Sequence, residues 1–161
     1  MVKTKRRHDQ PGLRQLSIFL QNRVGELADL LRHFEADSVH VHGICVSDSA
    51  DYAVIRIVVD RTDQARKIIH ELGVACSERL ILGVEIPDDP KALLQLSRAL
   101  IGAELNIHNI YPMVTRPTGR PAVLVHVDDI GTAVDALAKR EFELIFESDL
   151  ILDGEEDEAR F

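Results

Sequence analysis

The sequence predicts an α+β protein built from two tandem βαββαβ units, in which two helices lie on one face of each antiparallel four-stranded sheet. Three observations lead to this prediction. The chain has 161 residues, enough for two small domains. Its second half repeats the first with almost unchanged spacing. Within each copy, the apolar residues alternate between the period of a strand and the period of a helix.

The repeat runs without a gap through Leu16–Ile44, which matches Leu82–Ile110 at 66 positions further along the chain. Beyond the following loop, Ala53 aligns with Ala122, which makes the second loop three residues longer. The longer loop contains Thr115–Arg120, whose proline and glycine are typical of a hairpin turn. A unit of about 68 residues has therefore been duplicated.

The elements of each unit follow from the spacing of the apolar residues. Strands are predicted where apolar and polar residues alternate, and helices where apolar residues recur at i, i+3, i+4 and i+7. The first helix carries this stripe at Leu27, Leu30, Leu31 and Phe34. The predicted order is strand, helix, strand, strand, helix, strand, at residues 14–20, 26–36, 38–47, 52–59, 62–72 and 74–78. Two helices over one face of such a sheet form the ferredoxin-like arrangement.

The second strand contains one irregularity. Val41 and Ile44 are apolar in both copies, yet residues three apart point to opposite faces of a regular strand. Either Gly43 allows a β-bulge that turns Ile44 inward, or Ile44 and Ile110 face outward against another sheet.

The domain boundaries are predicted from the repeat. The first unit spans residues 13–79 and the second spans residues 80–152. Residues 1–12 are basic and residues 153–161 are acidic. Neither end shows apolar periodicity, so both are predicted to be flexible tails.

Charge and composition exclude several classes of partner. The net charge of −8 argues against a general nucleic-acid binder. No apolar run approaches the roughly 20 residues that a membrane helix needs, and the basic N-terminus lacks the apolar segment of a secretory signal. We therefore expect a cytoplasmic protein with neither nucleic acid nor membrane as a partner. Cys45 and Cys76 lie in apolar runs and are expected to be reduced and buried.

Two βαββαβ units with a strand–Asn-x-x-Gly–helix turn resemble a tandem ACT-domain protein. The resemblance covers about residues 13–150. It rests on LSIFLQNRVGELADLLRHF and VHVHGICVSDSADYAVIRIVVD, and on the looser copies VEIPDDPKALLQLSRALIGAELNIHNIYPMV and AVLVHVDD. It implies a regulatory protein that binds an amino acid or a related small effector. It also implies units that pair side by side, with joined sheets and effector sites at the interfaces.

The turn Asn22–Leu27, written NRVGEL, is the predicted effector site. A helix N-terminus offers unpaired N–H groups and a partial positive charge to the carboxylate of an amino acid. Gly25 keeps this approach open and permits positive φ, and Asn22 can hydrogen-bond the loop or the ligand. The alternative is a purely structural turn. The predicted ligand-binding residues are Asn22, Arg23, Val24, Gly25, Glu26 and Leu27, with His42, Gly43 and Ile44 on the neighbouring strand.

The second unit carries different residues at the equivalent turn. Asp88, Asp89, Pro90 and Lys91 replace the glycine-containing sequence, so two carboxylates stand where an anion would bind. Lys91 could still pair with a ligand carboxylate. We expect a blocked or purely structural turn here.

His40 and His42 lie two residues apart, and residues with this spacing share one face of a regular strand. Together with Cys45 they suggest a transition-metal site, since imidazole and thiolate are ligands for such ions. Some ACT-like regulators sense nickel through strand histidines. The alternative, which we favour, is that both histidines line an open sheet face at an interface or effector pocket, and we predict no metal.

No catalytic residues and no cofactor are predicted, because the chain has no Gly-x-Ser-x-Gly, phosphate loop or Gly-x-Gly-x-x-Gly. The predicted function is therefore amino-acid sensing by a non-catalytic protein. The sheet faces opposite the helices are predicted to carry an apolar patch that drives homodimerisation, formed by Phe19, Ile44, Val46, Val54 and Val58. The alternatives are an adaptor or regulatory subunit of an amino-acid biosynthetic enzyme that binds no ligand, and a metal sensor using His40 and His42.

Overall fold

The computed structural model describes residues 11–151. Residues 1–10 and 152–161, which hold nearly all of the two predicted tails, lie outside the described part. The elements are β1 (Leu13–Gln21), α1 (Glu26–Ala36), β2 (Val41–Asp48), β3 (Tyr52–Val59), α2 (Thr62–Glu71), β4 (Ala75–Glu85), α3 (Ala92–Gly102), β5 (Ile107–Pro112), β6 (Ala122–Val127), α4 (Ile130–Lys139), β7 (Leu144–Ile145) and α5 (Glu147–Leu150). Within residues 11–151, no helix is both long and apolar enough to cross a membrane.

The strands form one antiparallel sheet in the order β2-β3-β1-β4-β6-β5, with β7 paired to β4. Strand β4 belongs to both halves. Residues Ala75–Ile81 pair with β1, and residues Leu82–Glu85 pair with β6. Each half therefore has the predicted βαββαβ order, and the predicted α+β fold is confirmed. The predicted boundary between residues 79 and 80 falls inside this shared strand.

Each half buries its own core between the sheet and its two helices, as the apolar stripes predict. In the first half, Leu30 and Phe34 of α1 and Ile69 of α2 pack against the inward residues of β1 and β3. In the second half, Leu96 of α3 and Leu137 of α4 take the equivalent positions. Because residues three and four apart share a helix face, each helix buries one side and leaves the other exposed.

A third core lies between the two halves, on the sheet faces that carry no helices. Its buried residues come from both units and are Leu13, Val58, Ile81, Tyr111, Ala122, Leu124, Ile145 and Leu150. The sheet curls around this core until β2 meets the residues after β5. Gly43 forms a β-bridge with Met113, and the Val114 N–H donates to the His42 carbonyl at 2.9 Å.

The apolar patch predicted to drive dimerisation is not one surface. Ile44 and Val46 lie opposite Ile57 and Ile55 in the register, on the face that bears the helices. Val58 is buried in the third core. Phe19 and Val54 remain on the outer face, directly opposite one another. The physical reason is that the second unit of the same chain covers part of the face that was expected to need a partner.

The irregularity in the second strand is a β-bulge. The register shifts between Val41 and Gly43, so that His42 has no opposite residue in the ladder. Val41 and Ile44 therefore both pack against the first core. The same shift occurs between Ile107 and Asn109 in the second unit. The first of the two explanations derived from the sequence is thus the correct one, and the bulge is part of the duplicated unit.

The sequence alignment of β3 with β6, the third strands of the two units, was wrong by one residue. Val41 pairs with Val59 and Ile107 pairs with Val127, so the third strands are offset by 68 positions. The second loop is therefore two residues longer, not three. Sequence alone could not fix this register, because both faces of β6 are buried and its residues are apolar on either side. A shift of one residue then exchanges the two faces without creating an obvious mismatch.

The four long helices end in the same way. In each helix, the residue that follows the C-cap has positive φ. These residues are Ser38, Gly73, Glu104 and Glu141. The N–H of the next residue then bonds back five positions, as from Val39 to the Phe34 carbonyl at 2.8 Å. This is the 6→1 bond of a Schellman-type end, which satisfies a carbonyl that the helix leaves free. Only one of the four positions is a glycine, which is why the sequence did not reveal the pattern.

Candidate functional site

The turn between β1 and α1 presents an open helix N-terminus. Gly25 adopts φ 93° and ψ −12° at the N-cap of α1, and no side chain caps the helix. A Cβ atom at Gly25 would meet nothing within 4 Å, and Val24 is fully exposed. The glycine is therefore needed for its left-handed backbone and not for close packing inside the chain. The Glu26 N–H bonds the Arg23 carbonyl at 3.4 Å, and the partial positive charge of a helix N-terminus favours an anion here.

Asn22 links this turn to the C-terminal end of β2. Its Nδ2 donates to Asp48 Oδ1 at 2.9 Å. The Arg23 N–H donates to the Gln21 carbonyl at 2.8 Å and closes the turn. Asp48 was not among the predicted site residues. It comes close only through the antiparallel pairing of β2 with β3 and β3 with β1, which local sequence does not show.

Charges around the turn fit a zwitterion better than a simple anion. Glu26 and Asp29 lie in the first turn of α1, and Asp29 is paired with Arg32 at 2.5 Å. Asp48 lies on the strand side. An amino acid carries a carboxylate and an ammonium group on neighbouring atoms, so backbone N–H groups and side-chain carboxylates are both useful near its binding position. Leu27, the last predicted residue of the turn, is partly buried against the first core.

His42 and Gly43 lie at the opposite end of β2 from the turn. Six residues separate His42 from Asp48, which corresponds to about 20 Å along a strand. The His42 Nε2–H donates to the Leu150 carbonyl at 2.8 Å, and its Nδ1 accepts from the Thr115 hydroxyl at 2.6 Å. Within one chain, the structure does not bring these two residues together with Gly25. They join the two units instead.

Burial lowers the pKa of His42 below its usual value, and this effect outweighs the hydrogen bond to Leu150. The folded protein therefore favours neutral His42, whereas the unfolded chain protonates it near the ordinary pKa of about 6.5. The stabilisation is fully present above that pKa and decreases as the pH falls through the window below it.

We expect the free energy of unfolding to decrease between pH 7 and pH 5 more steeply in the wild type than in His42→Gln. Glutamine can still donate to Leu150 but does not titrate. One proton contributes a slope of at most about 1.4 kcal/mol per pH unit. Urea unfolding at a series of pH values measures both slopes. Equal slopes would show that His42 does not make this contribution.

The second turn is closed by its own side chain. The carboxylate of Asp89 accepts from the Lys91 N–H at 2.8 Å, and the Asp89 carbonyl accepts from the Ala92 N–H at 3.0 Å. Lys91, at the N-cap of α3, has φ −91°, an ordinary right-handed conformation. A protein carboxylate thus lies directly before the start of α3, although the helix itself has no side-chain cap, and the blocked turn stays a prediction.

His40 and His42 are engaged by different groups of the protein. The His40 Nδ1 is 3.0 Å from an oxygen of Asp60, and both ring nitrogens of His42 are engaged elsewhere. Among residues 11–151, no group of three metal-ligating side chains comes together. Both cysteines are free thiols, with Cys45 half-buried beside the third core. Cys76 is exposed, contrary to expectation, because the first half of β4 is an edge of the sheet.

A cavity of about 530 Å³ lies between α2 and the first half of β4. Its charged lining residues are largely paired within the protein. Arg14 bonds Glu78 at 2.5 Å and Asp63 at 2.6 Å, and its guanidinium group lowers the pKa of both carboxyls. Arg66 also pairs with Glu78, at 2.9 Å. No residue of the Gly25 turn lines this cavity, and its paired charges leave little unsatisfied polarity for a ligand.

Comparison with known proteins identifies the class. The family described as "ACT domain pair" matches residues 12–152. The chain therefore belongs to the family of ACT domain pairs, as the sequence resemblance implied. No curated protein sequence matches it significantly.

Solved structures share the fold at low sequence identity. Protein BT0572 from Bacteroides thetaiotaomicron is 24% identical with a TM-score of 0.78, over 86% of this chain and 95% of that one. The ligand-free regulatory subunit of aspartate kinase from Thermus thermophilus is 14% identical with a TM-score of 0.59, over 81% and 93%. The corresponding subunit from Thermus flavus is 13% identical with a TM-score of 0.57, over the same shares.

Proposed function

We propose that this protein is a non-catalytic regulator that senses an amino acid at the Gly25 turn. The observation that carries the proposal is the contrast between the two turns of an ACT domain pair. The first presents a helix start with no side-chain cap and an exposed left-handed glycine. Helix α3 also lacks a side-chain cap, but in the second turn the Asp89 carboxylate accepts from the N–H of the N-cap residue Lys91, which has an ordinary right-handed conformation.

The chemistry of the turn suggests the pose of the ligand. The carboxylate would accept from the first-turn N–H groups of α1, where the helix dipole favours negative charge. The ammonium group would lie toward Glu26 and Asp48. The Asn22 amide is bonded to Asp48 in this structure and could exchange that bond for one to the ligand.

A homodimer would complete this site through the edge of β2. Strand β2 ends the sheet, and residues 44–48 have no neighbouring strand on their outer side within the described chain. Such an edge presents unpaired backbone groups that a second strand can satisfy. Antiparallel pairing of two copies centred on Val46 would place the partner's Ile44 opposite Asp48, next to Asn22. His42 and Gly43 would not take part, because residues 113 and 114 already bind that portion.

The test uses three variants and the full set of amino acids. A thermal-shift screen identifies the effector, because a ligand that binds only the native state raises the melting temperature. Isothermal titration then compares Gly25→Asp with Gly25→Asn. Both side chains have similar size and tolerate positive φ better than most residues, so the pair isolates the added negative charge. We expect Gly25→Asp to weaken binding by at least about tenfold more than Gly25→Asn, and Lys91→Ala to change it little.

Loss of binding in Lys91→Ala alone would place the site in the second unit and contradict the proposal. Sedimentation equilibrium with the effector present should give about twice the mass of the 18.0 kDa chain. A monomer that still binds the effector would contradict the shared site but not the sensing function. No response to any amino acid would favour the adaptor that regulates a biosynthetic enzyme without ligand. A response to nickel or zinc alone would favour the metal sensor. A cytoplasmic location stays a prediction from the sequence.

A further inference from the structure

The sheet face opposite the helices is only partly covered by the second unit. Tyr111 of β5 reaches Gln15 on β1, where its hydroxyl donates to Gln15 Oε1 at 2.7 Å in a buried contact. Beyond Gln15, the outer face of the first sheet is still buried at Ser17 and becomes exposed at Phe19 and Tyr52. We call this part the ledge, and its residues are Ser17, Phe19, Tyr52, Val54, Arg56 and Arg79.

The ledge has a basic half next to the second unit. Arg56 lies opposite Ser17, Ser17 lies opposite Ser77, and Arg79 follows two residues after Ser77 on the same face. Strand spacing and rise place the Cα atoms of the two arginines about 12 Å apart. Long side chains at that separation can converge on one group that lies over β1.

These arginines lack carboxylate partners. Within residues 11–151, Arg79 makes no side-chain hydrogen bond or ion pair, and Arg56 makes one hydrogen bond, to the Ser47 hydroxyl at 3.0 Å. By contrast, Arg14 on the helix side of the same sheet is held by Asp63 and Glu78. An anion that lies between the two guanidinium groups would be attracted by both of them. Such an arginine pair is also unusual in a chain of net charge −8.

His126 lies on β6 of the second unit, on the same face of that strand as Ala122 and Leu124 of the third core. Burial lowers the pKa of His126, and the charges of His108, Arg79 and Arg56 lower it further. Its ring centroid is 4.9 Å from that of His108, which is bonded to Asp128. Asp128 is the nearby acid, and it is already engaged by His108 and by the Asn106 N–H.

The other half of the ledge is apolar. Phe19 lies opposite Val54, and Tyr52 lies one pair further out on the same face. Phe19 is 43% exposed and Tyr52 is 54% exposed. An apolar surface beside a few convergent polar groups is the usual composition of a site for a small organic molecule.

We propose that the ledge binds an organic anion, whose carboxylate or phosphate is held by Arg56 and Arg79 while its apolar body lies on Phe19 and Val54. Arginine is suited to this role because its planar fork can donate two parallel hydrogen bonds to one such group. Ser77 supplies an exposed hydroxyl group between the two arginines, whereas Ser17 is buried beneath this position. This site lies on the face of the sheet opposite α1 and is independent of the Gly25 turn.

The test is a titration of the full, ¹⁵N-labelled chain followed by NMR, with phenyl phosphate, benzoate and inorganic phosphate as separate probes at low salt. We expect saturable shifts of the backbone amides of Ser17, Arg56 and Ser77. Tighter binding of phenyl phosphate than of benzoate would identify phosphate as the preferred group, and the reverse order would identify carboxylate. Inorganic phosphate should bind more weakly than phenyl phosphate, because it cannot contact Phe19.

Two variants with the same charge change locate the site. Arg79→Gln should weaken binding of the tighter probe by about tenfold or more, the loss expected for a hydrogen bond between charged groups. Arg98→Gln removes an exposed arginine from α3 and should leave the affinity unchanged. Equal losses in both variants, or saturable shifts confined to other regions, would overturn the proposal. Equal affinity for inorganic and phenyl phosphate would overturn the role of the apolar half.

Discussion

Replacing Gly43 with alanine is expected to lower the free energy of unfolding by about 1–3 kcal/mol, the usual cost of overfilling a packed interior. An ideal Cβ at Gly43 would lie 2.2 Å from Leu124 Cδ1 and 3.5 Å from Tyr111 Cε2. Leu124 is completely buried, so its side chain has little room to move away. For a domain of this size the loss corresponds to a fall in melting temperature of about 2–4 °C per kcal/mol.

Gly102→Ala is the matched control. Gly102 is the last residue of α3, and a Cβ there would meet nothing within 4 Å. Alanine is favoured over glycine in a helix, so this variant should be unchanged or more stable by up to about 1 kcal/mol. Thermal and urea unfolding measure both variants. An equal response of Gly43→Ala and Gly102→Ala would show that the two units do not approach closely at β2.

Leu124→Ala is expected to have the largest effect, a loss of about 2–5 kcal/mol. Leu124 is fully buried in the third core, where residues of both units surround it. Shortening it removes transfer free energy and leaves a cavity. Leu93→Ala serves as the control, because Leu93 is a leucine of α3 that is 53% exposed. Unfolding by urea should show one transition for all variants, since the third core belongs to both units.

The double variant Gly43→Ala/Leu124→Ala tests the contact itself. Alanine at position 124 removes the atom that the new Cβ would strike, so the combined loss should be smaller than the sum of the single losses. Residues in direct contact typically show coupling of about 0.5–3 kcal/mol. Strict additivity would mean that the two positions are not in contact.

Much of the fold could be predicted because each helix and strand has its own periodicity. The stripe of Leu27, Leu30 and Phe34 predicted α1 with the bounds that the structure shows. The repeated pair Val41 and Ile44 indicated an irregularity in the second strand, and a bulge was one of its two explanations. The third core could not be predicted, because hydrophobic burial has no direction and does not specify which surface covers an exposed face. Val58 was therefore assigned to an interface between chains and not to one within the chain.

The candidate site, like the fold, could be predicted from the sequence only where local residues determine it. The glycine at this strand–helix turn was noted as permitting positive φ, and Gly25 adopts it in the structure. Gly43 was assigned to the ligand site as part of the neighbouring strand, but in the structure its lack of a side chain accommodates Leu124. The bond from Asn22 to Asp48 depends on strand pairing between residues 26 positions apart. The arginines of the ledge likewise become neighbours only once β1, β3 and β4 are placed side by side.

Strand β4 has 11 residues and takes part in both halves of the sheet without a break. The molecule consequently has no hinge between its repeats within the described chain, and neither repeat can be cut out without exposing half of a strand. Domains joined by a flexible tether respond to a ligand by swinging apart or closing. Here that movement is blocked. A ligand bound to one repeat can therefore affect the other through the twist or stiffness of β4, a single strand about 36 Å long.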